Sequence, residues 1–333
     1  MKEKYLFELG GENTELGKCE ALELLKTENY APKLILDNKN IVIIEVLNQI
    51  KTRVVQRLAM TKRLSRIIFY HKEEDIDIIV KKIDEIDIGK RSFAIRSINK
   101  KKNSETILAK KLGEKVPLHN KINLTKPDVK ILYYANKMSI VSIWNKEKET
   151  YYSKCLEHHI KHRPFFSPIS IHPRIARSMV NLSNCSLKNK IIDPFCGTGG
   201  ILIEIANMKI EGIGIDILDK MVEYAVGNLK HYALNAEIIQ GDIQKIKDYN
   251  IDSIVTDPPY GLSTTTRGEG VEELMLRSLS LFSKKLKSGQ RVVIAVSKPE
   301  LANNNNFKVL YQFEWYIHKS LTRNILVIEK INI

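Results

Sequence analysis

Long apolar runs are missing from this 333-residue sequence. No stretch approaches the ~18 apolar residues that a membrane-spanning helix needs, so no membrane span is expected. The opening residues, MKEKYLFELGGENTELG, hold no apolar core of the secretory type before their acids begin, which places the chain in the cytoplasm as an expectation. Cysteine is scarce. The four present, Cys19, Cys155, Cys185 and Cys196, form no CxxC pair and no Cys/His pair at zinc spacing. That excludes a disulfide framework and argues against a structural zinc. His158, His159 and His162 cluster on a polar stretch without a nearby carboxylate pair or cysteine, so a solvated or RNA-facing linker is expected there and no metal.

Acids are missing from two stretches, 46–72 and 88–104. These carry Arg57, Lys62 and Arg63 in the first and Arg96, Lys100 and Lys101 in the second. The net charge is +14, and residues 1–170 hold 33 Lys+Arg against 22 Asp+Glu, while the rest hold 20 against 17. A basic front half beside a nearly balanced back half points to a polyanionic partner for the front, although a lysine-rich solvated surface gives the same signal. Those six basic residues are the expected phosphate contacts.

The chain is long enough for two or three domains. Residues 1–50 predict a small α/β unit: KYLFEL, KLILD and NIVIIEVL as strands, with a helix over TELGKCEALELLKTE whose apolar face is Leu16, Cys19, Leu22 and Leu25. Further on, SFAIRSI reads as a strand, SETILAKKLGEKV as a helix and KILYYANKMSIVSIWN as two strands turning near Asn136. Residues 151–170 read as a linker. From 171 to 333 strands and helices alternate, which predicts an α/β fold with a doubly wound, mostly parallel sheet and a ligand beyond the carboxyl ends of its strands.

The candidate site lies on four successive strand ends. The first reads Asp193-Pro194-Phe195-Cys196-Gly197-Thr198-Gly199-Gly200. It lacks the third glycine of a dinucleotide fingerprint and the GK[ST] of a phosphate loop, and its acid would repel phosphate. An acid there suits a cationic ligand such as S-adenosylmethionine, with Gly197 and Gly199 allowing close backbone approach and Phe195 and Thr198 beside them. Asp216, followed by Ile217, closes EGIGID where a carboxylate can accept ribose hydroxyls. Asp242, followed by Ile243, closes QGD where it can accept an adenine amine. The fourth strand ends Thr256-Asp257-Pro258-Pro259-Tyr260-Gly261, and two prolines force the chain out of the sheet. Asp257 beside the cofactor and the Pro258 carbonyl can each accept one N–H of a planar amine. Its delocalised lone pair is thereby freed toward a methyl donor, while Tyr260 offers a stacking surface.

These residues carry a resemblance. SFAIR, ILAKKLGEKV and INLTKPDVKILYYANKMSIVSIW look like a THUMP domain, an RNA-binding module of tRNA-modifying enzymes. IIDPFCGTGGILIEIA with TDPPYG resembles the class I amino-methyltransferases of nucleic acid bases. RPFFSPISIHPRIARSMVNLS and FELGGENTELGKCEALELL extend the likeness to the archaeal tRNA guanine-N2 methyltransferases acting at position 10. The resemblance implies a ferredoxin-like plus THUMP region over 1–150, a linker over 151–170 and a Rossmann-like methyltransferase domain over 171–333. It implies N2-methyl- and N2,N2-dimethylguanosine as products, tRNA as partner, a monomer, and room for a small activating subunit. It assigns the cofactor role to Asp193, Gly197, Gly199, Asp216 and Asp242, and catalysis to Asp257, Pro258 and Tyr260. The motifs alone leave open an rRNA guanine-N2 enzyme or a DNA adenine-N6 or cytosine-N4 enzyme. A non-catalytic RNA-binding protein would need the acids or DPPY to be lost, and all are present.

Overall fold

The computed structural model describes residues 2–86, 89, 91–98, 122–135, 138–167, 170–260, 269–318 and 321–332. The chain divides into two compact units, one built from 1–11, 30–56 and 61–150, the other from 12–29, 57–60 and 151–333.

The first unit contains β1 (Lys2–Leu9), β2 (Lys33–Asn38), β3 (Ile41–Leu47), β4 (Thr61–His71), β5 (Phe93–Ser97), β6 (Val129–Ala135) and β7 (Ser139–Asn145). Among the described residues they make one sheet in the order β2-β3-β1-β4-β7-β6-β5. Only β5 and β6 pair in parallel; the other neighbours are antiparallel. The strands expected from KILYYANKMSIVSIWN form a hairpin in which Ala135 faces Ser139. A helix, Ile76–Asp84, starts where the Asp75 carboxylate accepts the Ile78 N–H at 3.0 Å. It buries Ile79 and Val80 with Phe93, Val129 and Ile131 of the sheet. The helix expected over SETILAKKLGEKV, Asn136, Lys100 and Lys101 lie outside the described residues.

The second unit contains β8 (Lys190–Asp193), β9 (Glu211–Asp216), β10 (Glu237–Gln240), β11 (Ser253–Thr256), β12 (Arg291–Val296), β13 (Phe307–His318) and β14 (Leu321–Lys330). Their order is β10-β9-β8-β11-β12-β14-β13. The first five run parallel, as the β-α alternation predicts. β14 runs antiparallel between β12 and β13. Both faces are covered. Ile191 and Val255 pack with Ile175, Leu202 and Ile205 on one side, and Ile192 and Ile254 pack with Leu279 and Phe282 on the other. Burial on both faces explains why these strands read as continuous apolar runs rather than alternating ones. Strand order reverses between β8 and β11, which opens a crevice at their carboxyl ends. Because β14 runs backward, its first residues lie at that same edge, with Asn324 opposite Val296. Among the described residues no helix is long and apolar enough to cross a membrane.

Three features differ from the sequence reading. First, the helix Thr14–Thr27 and residues 57–60 belong to the second unit, not to a self-contained front domain. Second, of the expected stripe Leu16 and Leu25 are buried while Cys19 and Leu22 are half-buried, and the buried face also takes in Glu20, Ala21, Glu23 and Leu24. Apolar counting passes over two members of this face because they are glutamates. Glu20 is fully buried and accepts the Ala59 N–H at 2.9 Å, the Met60 N–H at 2.8 Å and Asn181 Nδ2 at 2.8 Å. Third, 151–170 is no extended linker. It carries a helical turn, Tyr151–Lys154, and the short turns Cys155–His158 and Ile160–His162, with Tyr151 and Cys155 buried. His158 faces Tyr151 Oη at 2.8 Å instead of RNA or bulk solvent.

Arg57 is the clearest correction. It was expected to meet phosphate, yet it is 4% exposed. Its guanidinium donates to Glu28 Oε1 at 3.0 Å, Asn181 Oδ1 at 3.1 Å and the Cys185 carbonyl at 3.1 Å. Sequence cannot tell a basic residue that tracks a polyanion from one that satisfies an internal acid. Arg57→Ala should therefore lower the stability of this unit by about 3–5 kcal/mol, the scale of stripping one partner from a buried ion pair. Urea unfolding checks this, and a midpoint equal to that of the parent would refute it.

Candidate active site

The loop after β8 is held by the acids at the neighbouring strand ends. Asp193 Oδ1 accepts the Phe195 N–H at 3.2 Å and the Thr256 hydroxyl at 2.7 Å, which joins β8 to β11 across the crevice. Asp216 Oδ2 accepts the Gly197 N–H at 2.9 Å, and its Oδ1 accepts the Leu218 N–H at 3.0 Å. The loop turns through positive φ at Gly197 (49°) and Gly199 (81°), which side-chain-bearing residues rarely adopt. A Cβ on Gly199 would also lie 3.3 Å from the Ala225 Cβ.

A cavity of about 370 Å³ opens at this edge. Asp193, Phe195, Gly197, Thr198, Asp216, Ile217, Asp242, Ile243, Asp257, Pro258 and Tyr260 all line it. Gly199 does not line it; it caps the helix Gly200–Asn207 with its back to Ala225. The loop residues following Gly261 lie outside the described residues. Sequence reasoning missed Ser167, Ser170, Met221, Glu269 and Arg277, which complete the wall. The two serines belong to 151–170, which reads as a linker in the sequence. Glu269 lies just before the helix Val271–Lys285 and Arg277 within it, and neither belongs to a motif.

The acids differ in character. Burial, aided by the charges of Asp257 and Asp216, pushes the Asp193 carboxyl up to about 7. Asp216 is also raised by burial, against the pull of its backbone N–H donors. Asp242 is lowered: burial works against its charge, but a two-point ion pair to Arg277 at 2.8 and 3.1 Å and the Gln244 N–H outweigh it. Arg277 simultaneously grips Glu269 at 2.8 Å. Asp257, with a side chain 14% exposed, accepts from the Tyr260 hydroxyl and from Arg323 Nη2 at 3.1 Å. Arg323 Nε donates to Tyr260 Oη at 3.0 Å, closing a triangle. Burial raises Asp257 although Arg323 and Tyr260 both favour its charged form. Arg323 is a residue that no motif announced.

The remaining basic residues lie in the first unit. Lys62 is exposed on β4, Arg63 pairs with Glu8 at 2.8 Å, and Arg96 donates to the carbonyls of Ile95 and Leu124 at 2.9 and 2.7 Å.

A doubly wound sheet with an antiparallel β13–β14 edge, acids on successive strand ends and a DPPY corner defines the Rossmann-like methyltransferases. Residues 161–317 match the family described as RMKL-like, methyltransferase domain. The tRNA (guanine(10)-N2)-dimethyltransferase of Methanothermobacter thermautotrophicus is 32% identical over 341 residues, 97% of this chain and 98% of that protein. The enzyme of the same name from Methanocaldococcus jannaschii is 31% identical over 360 residues, 97% of this chain and 99% of that protein. The fold matches the crystal structure of TrmN from Thermus thermophilus with a TM-score of 0.58 at 16% identity, over 98% of this chain and 100% of that chain. The chain belongs to the tRNA (guanine(10)-N2)-dimethyltransferase family.

S-adenosylmethionine is the cofactor, and the donor set fits it. Asp193 and Asp216 present carboxylate oxygens to the cavity, while Phe195, Ile217, Met221 and Ile243 supply apolar wall for an adenosine. A cationic group beside Asp193 favours its ionised form. Cofactor binding at pH 7 should therefore release up to about half a proton. Calorimetric titration in two buffers of different ionisation enthalpy measures this directly, and a binding enthalpy that ignores the buffer would show that Asp193 does not meet the cation.

Proposed function

We propose that this chain methylates the exocyclic N2 of guanosine 10 in tRNA, giving N2-methyl- and N2,N2-dimethylguanosine. The observation that carries the chemistry is the Asp257-Pro258-Pro259-Tyr260 corner on the wall of the cofactor cavity. Position 10 and the second methyl rest on the names of the 32% and 31% identical relatives, which align over almost the whole chain.

S-adenosylmethionine supplies a methyl group on a positively charged sulfur. The protein's part is to bind, orient and neutralise. Asp193 would hold the cofactor's ammonium, Asp216 its ribose hydroxyls and Asp242 its adenine amine. Asp257 and the Pro258 carbonyl accept the N–H groups of the guanine amine, and Tyr260 offers its ring to the base. As the amine nitrogen gains positive charge, the charged Asp257 stabilises it more than it stabilises the neutral amine, and that difference lowers the barrier. Asp257 Oδ can then hold the proton that the nitrogen sheds.

For the first unit we read a ferredoxin-like plus THUMP region that holds RNA. Its support is the basic surface around Lys62 and Arg63 and the sequence likeness of 92–144. RNA affinity should fall with salt, with a log–log slope of about −0.7 to −0.9 for each phosphate contact.

Nucleoside mass spectrometry of tRNA incubated with the protein and labelled cofactor tests the assignment. Label in N2-methylated guanosine, lost when guanosine 10 is replaced by adenosine, is the expected result. Label retained in that variant would refute the position. In single turnover with saturating enzyme, Asp257→Asn should slow methylation by about 10²-fold while cofactor affinity holds. Asp257→Ala proceeding at the parental rate would remove this corner from the chemistry.

A further inference from the structure

The start of β14 lies beside the methyl-transfer corner for a topological reason. β14 runs against the five parallel strands, so Leu321–Asn324 reach the edge where those strands end. Asn324 Nδ2 donates to the Ser297 carbonyl at 3.0 Å and pins this end of the strand to the exit of β12. From there Arg323 lies two strand spacings, roughly 10 Å, from the β11 exit, within the reach of an arginine side chain. Arg323 is 3% exposed. One nitrogen meets Asp257 Oδ2 at 3.1 Å and another meets Tyr260 Oη at 3.0 Å, while the Tyr260 hydroxyl donates to Asp257 Oδ1.

We propose that Arg323 is a positioning residue for methyl transfer: its guanidinium locks the Asp257 carboxylate and the Tyr260 phenol into one unit and keeps the carboxylate charged. The inference rests on Asp257 acting on the amine, as read above. Each carboxylate oxygen takes one donor from the triangle and keeps one lone pair for a substrate N–H. Arginine's planar fork suits this better than lysine, because it grips two oxygens at fixed spacing. Stability alone does not account for the pair. A buried ion pair is often matched or exceeded by apolar side chains of similar volume, because desolvation offsets its attraction. The chemistry does account for it. Burial opposes charge on Asp257; among the described residues Arg323 is the cation that touches it, and Tyr260 the hydroxyl. Asp216, Asp242, Glu269 and Arg277 line the same cavity, and there Arg277 is engaged by Asp242 and Glu269.

The test uses the full chain, tRNA and S-adenosylmethionine in single turnover from acid to alkaline pH, with Arg323→Gln, Arg323→Lys, Asp257→Asn and the double variant Asp257→Asn/Arg323→Gln. Arg323→Gln should slow the step by about 10- to 100-fold at neutral pH while cofactor affinity stays within about threefold. Without its cation Asp257 ionises at higher pH, so the acid limb of the rate profile moves up and the deficit narrows in alkali. Arg323→Lys keeps the charge and loses the two-point grip. It should leave the limb in place at an intermediate rate, and it serves as the measurement should the glutamine variant fold poorly. On the Asp257→Asn background, Arg323→Gln should move nothing further. A parental rate and limb in both Arg323 variants, or a loss equal at every pH, overturns the role. A parent that transfers no methyl to tRNA overturns instead the reading of the reaction, so the two failures are distinguishable.

Discussion

Four carboxylates, those of Asp193, Asp216, Asp242 and Asp257, face one cavity because the parallel strands β8 to β11 all end at the same edge. Like charges at such range in a low dielectric oppose one another's ionisation. The rest of the site follows from how each is compensated. Among the described residues no cation pairs with Asp193, and burial raises its carboxyl toward neutrality, which suits it to a positively charged ligand. Asp216 is steadied by the N–H groups of Gly197 and Leu218, so the same carboxylate shapes the loop that surrounds the cofactor. Asp242 is held ionised by Arg277, and Asp257 is countered by Arg323. The gradient from an uncompensated acid to paired ones divides the cavity into a place for a cation and a place where charge is already balanced.

The second unit repeats this device away from the site. Glu20 and Glu23 occupy the buried face of the helix Thr14–Thr27, and each is answered from a distant part of the chain. Glu20 takes the backbone of Ala59 and Met60 with Asn181. Glu23 takes Lys26 at 2.6 Å, Arg291 at 2.7 Å and the Tyr311 hydroxyl at 3.0 Å, and its carboxyl is lowered because Lys26 and Arg291 outweigh burial. Arg57 answers Glu28 in the same manner. Buried polar groups cost little when every lone pair is met and a great deal when one is not. This is why the helix is stitched into the second unit although its sequence neighbours fold into the first.

Much of the site was legible because its logic is local. Asp193, Asp216, Asp242 and Asp257 each stand at the end of an apolar run, and the turn chemistry of DPFCGTGG and DPPYG declares itself over a few residues. Gly199 was read as a ligand contact when its positive φ serves a helix cap. Apolar periodicity finds Leu16 and Leu25 on the buried face of the first helix but passes over Glu20 and Glu23, which share it. Arg57 was assigned to RNA because charge alone carries no address.

The residues by themselves determined the β-α alternation, the parallel sheet, the strand-end acids and the rigid Pro-Pro exit, since each depends on periodicity and backbone stereochemistry within a short window. Only the tertiary structure decided which charges meet. Arg323 reaches Asp257 across β12 because an antiparallel strand delivers its beginning where its neighbours end. Arg277 reaches Asp242, and Arg57 reaches Glu28, over separations of 35 and 29 residues. An ion pair forms through space, and no rule of local spacing ties an arginine to the carboxylate that the fold will bring to it.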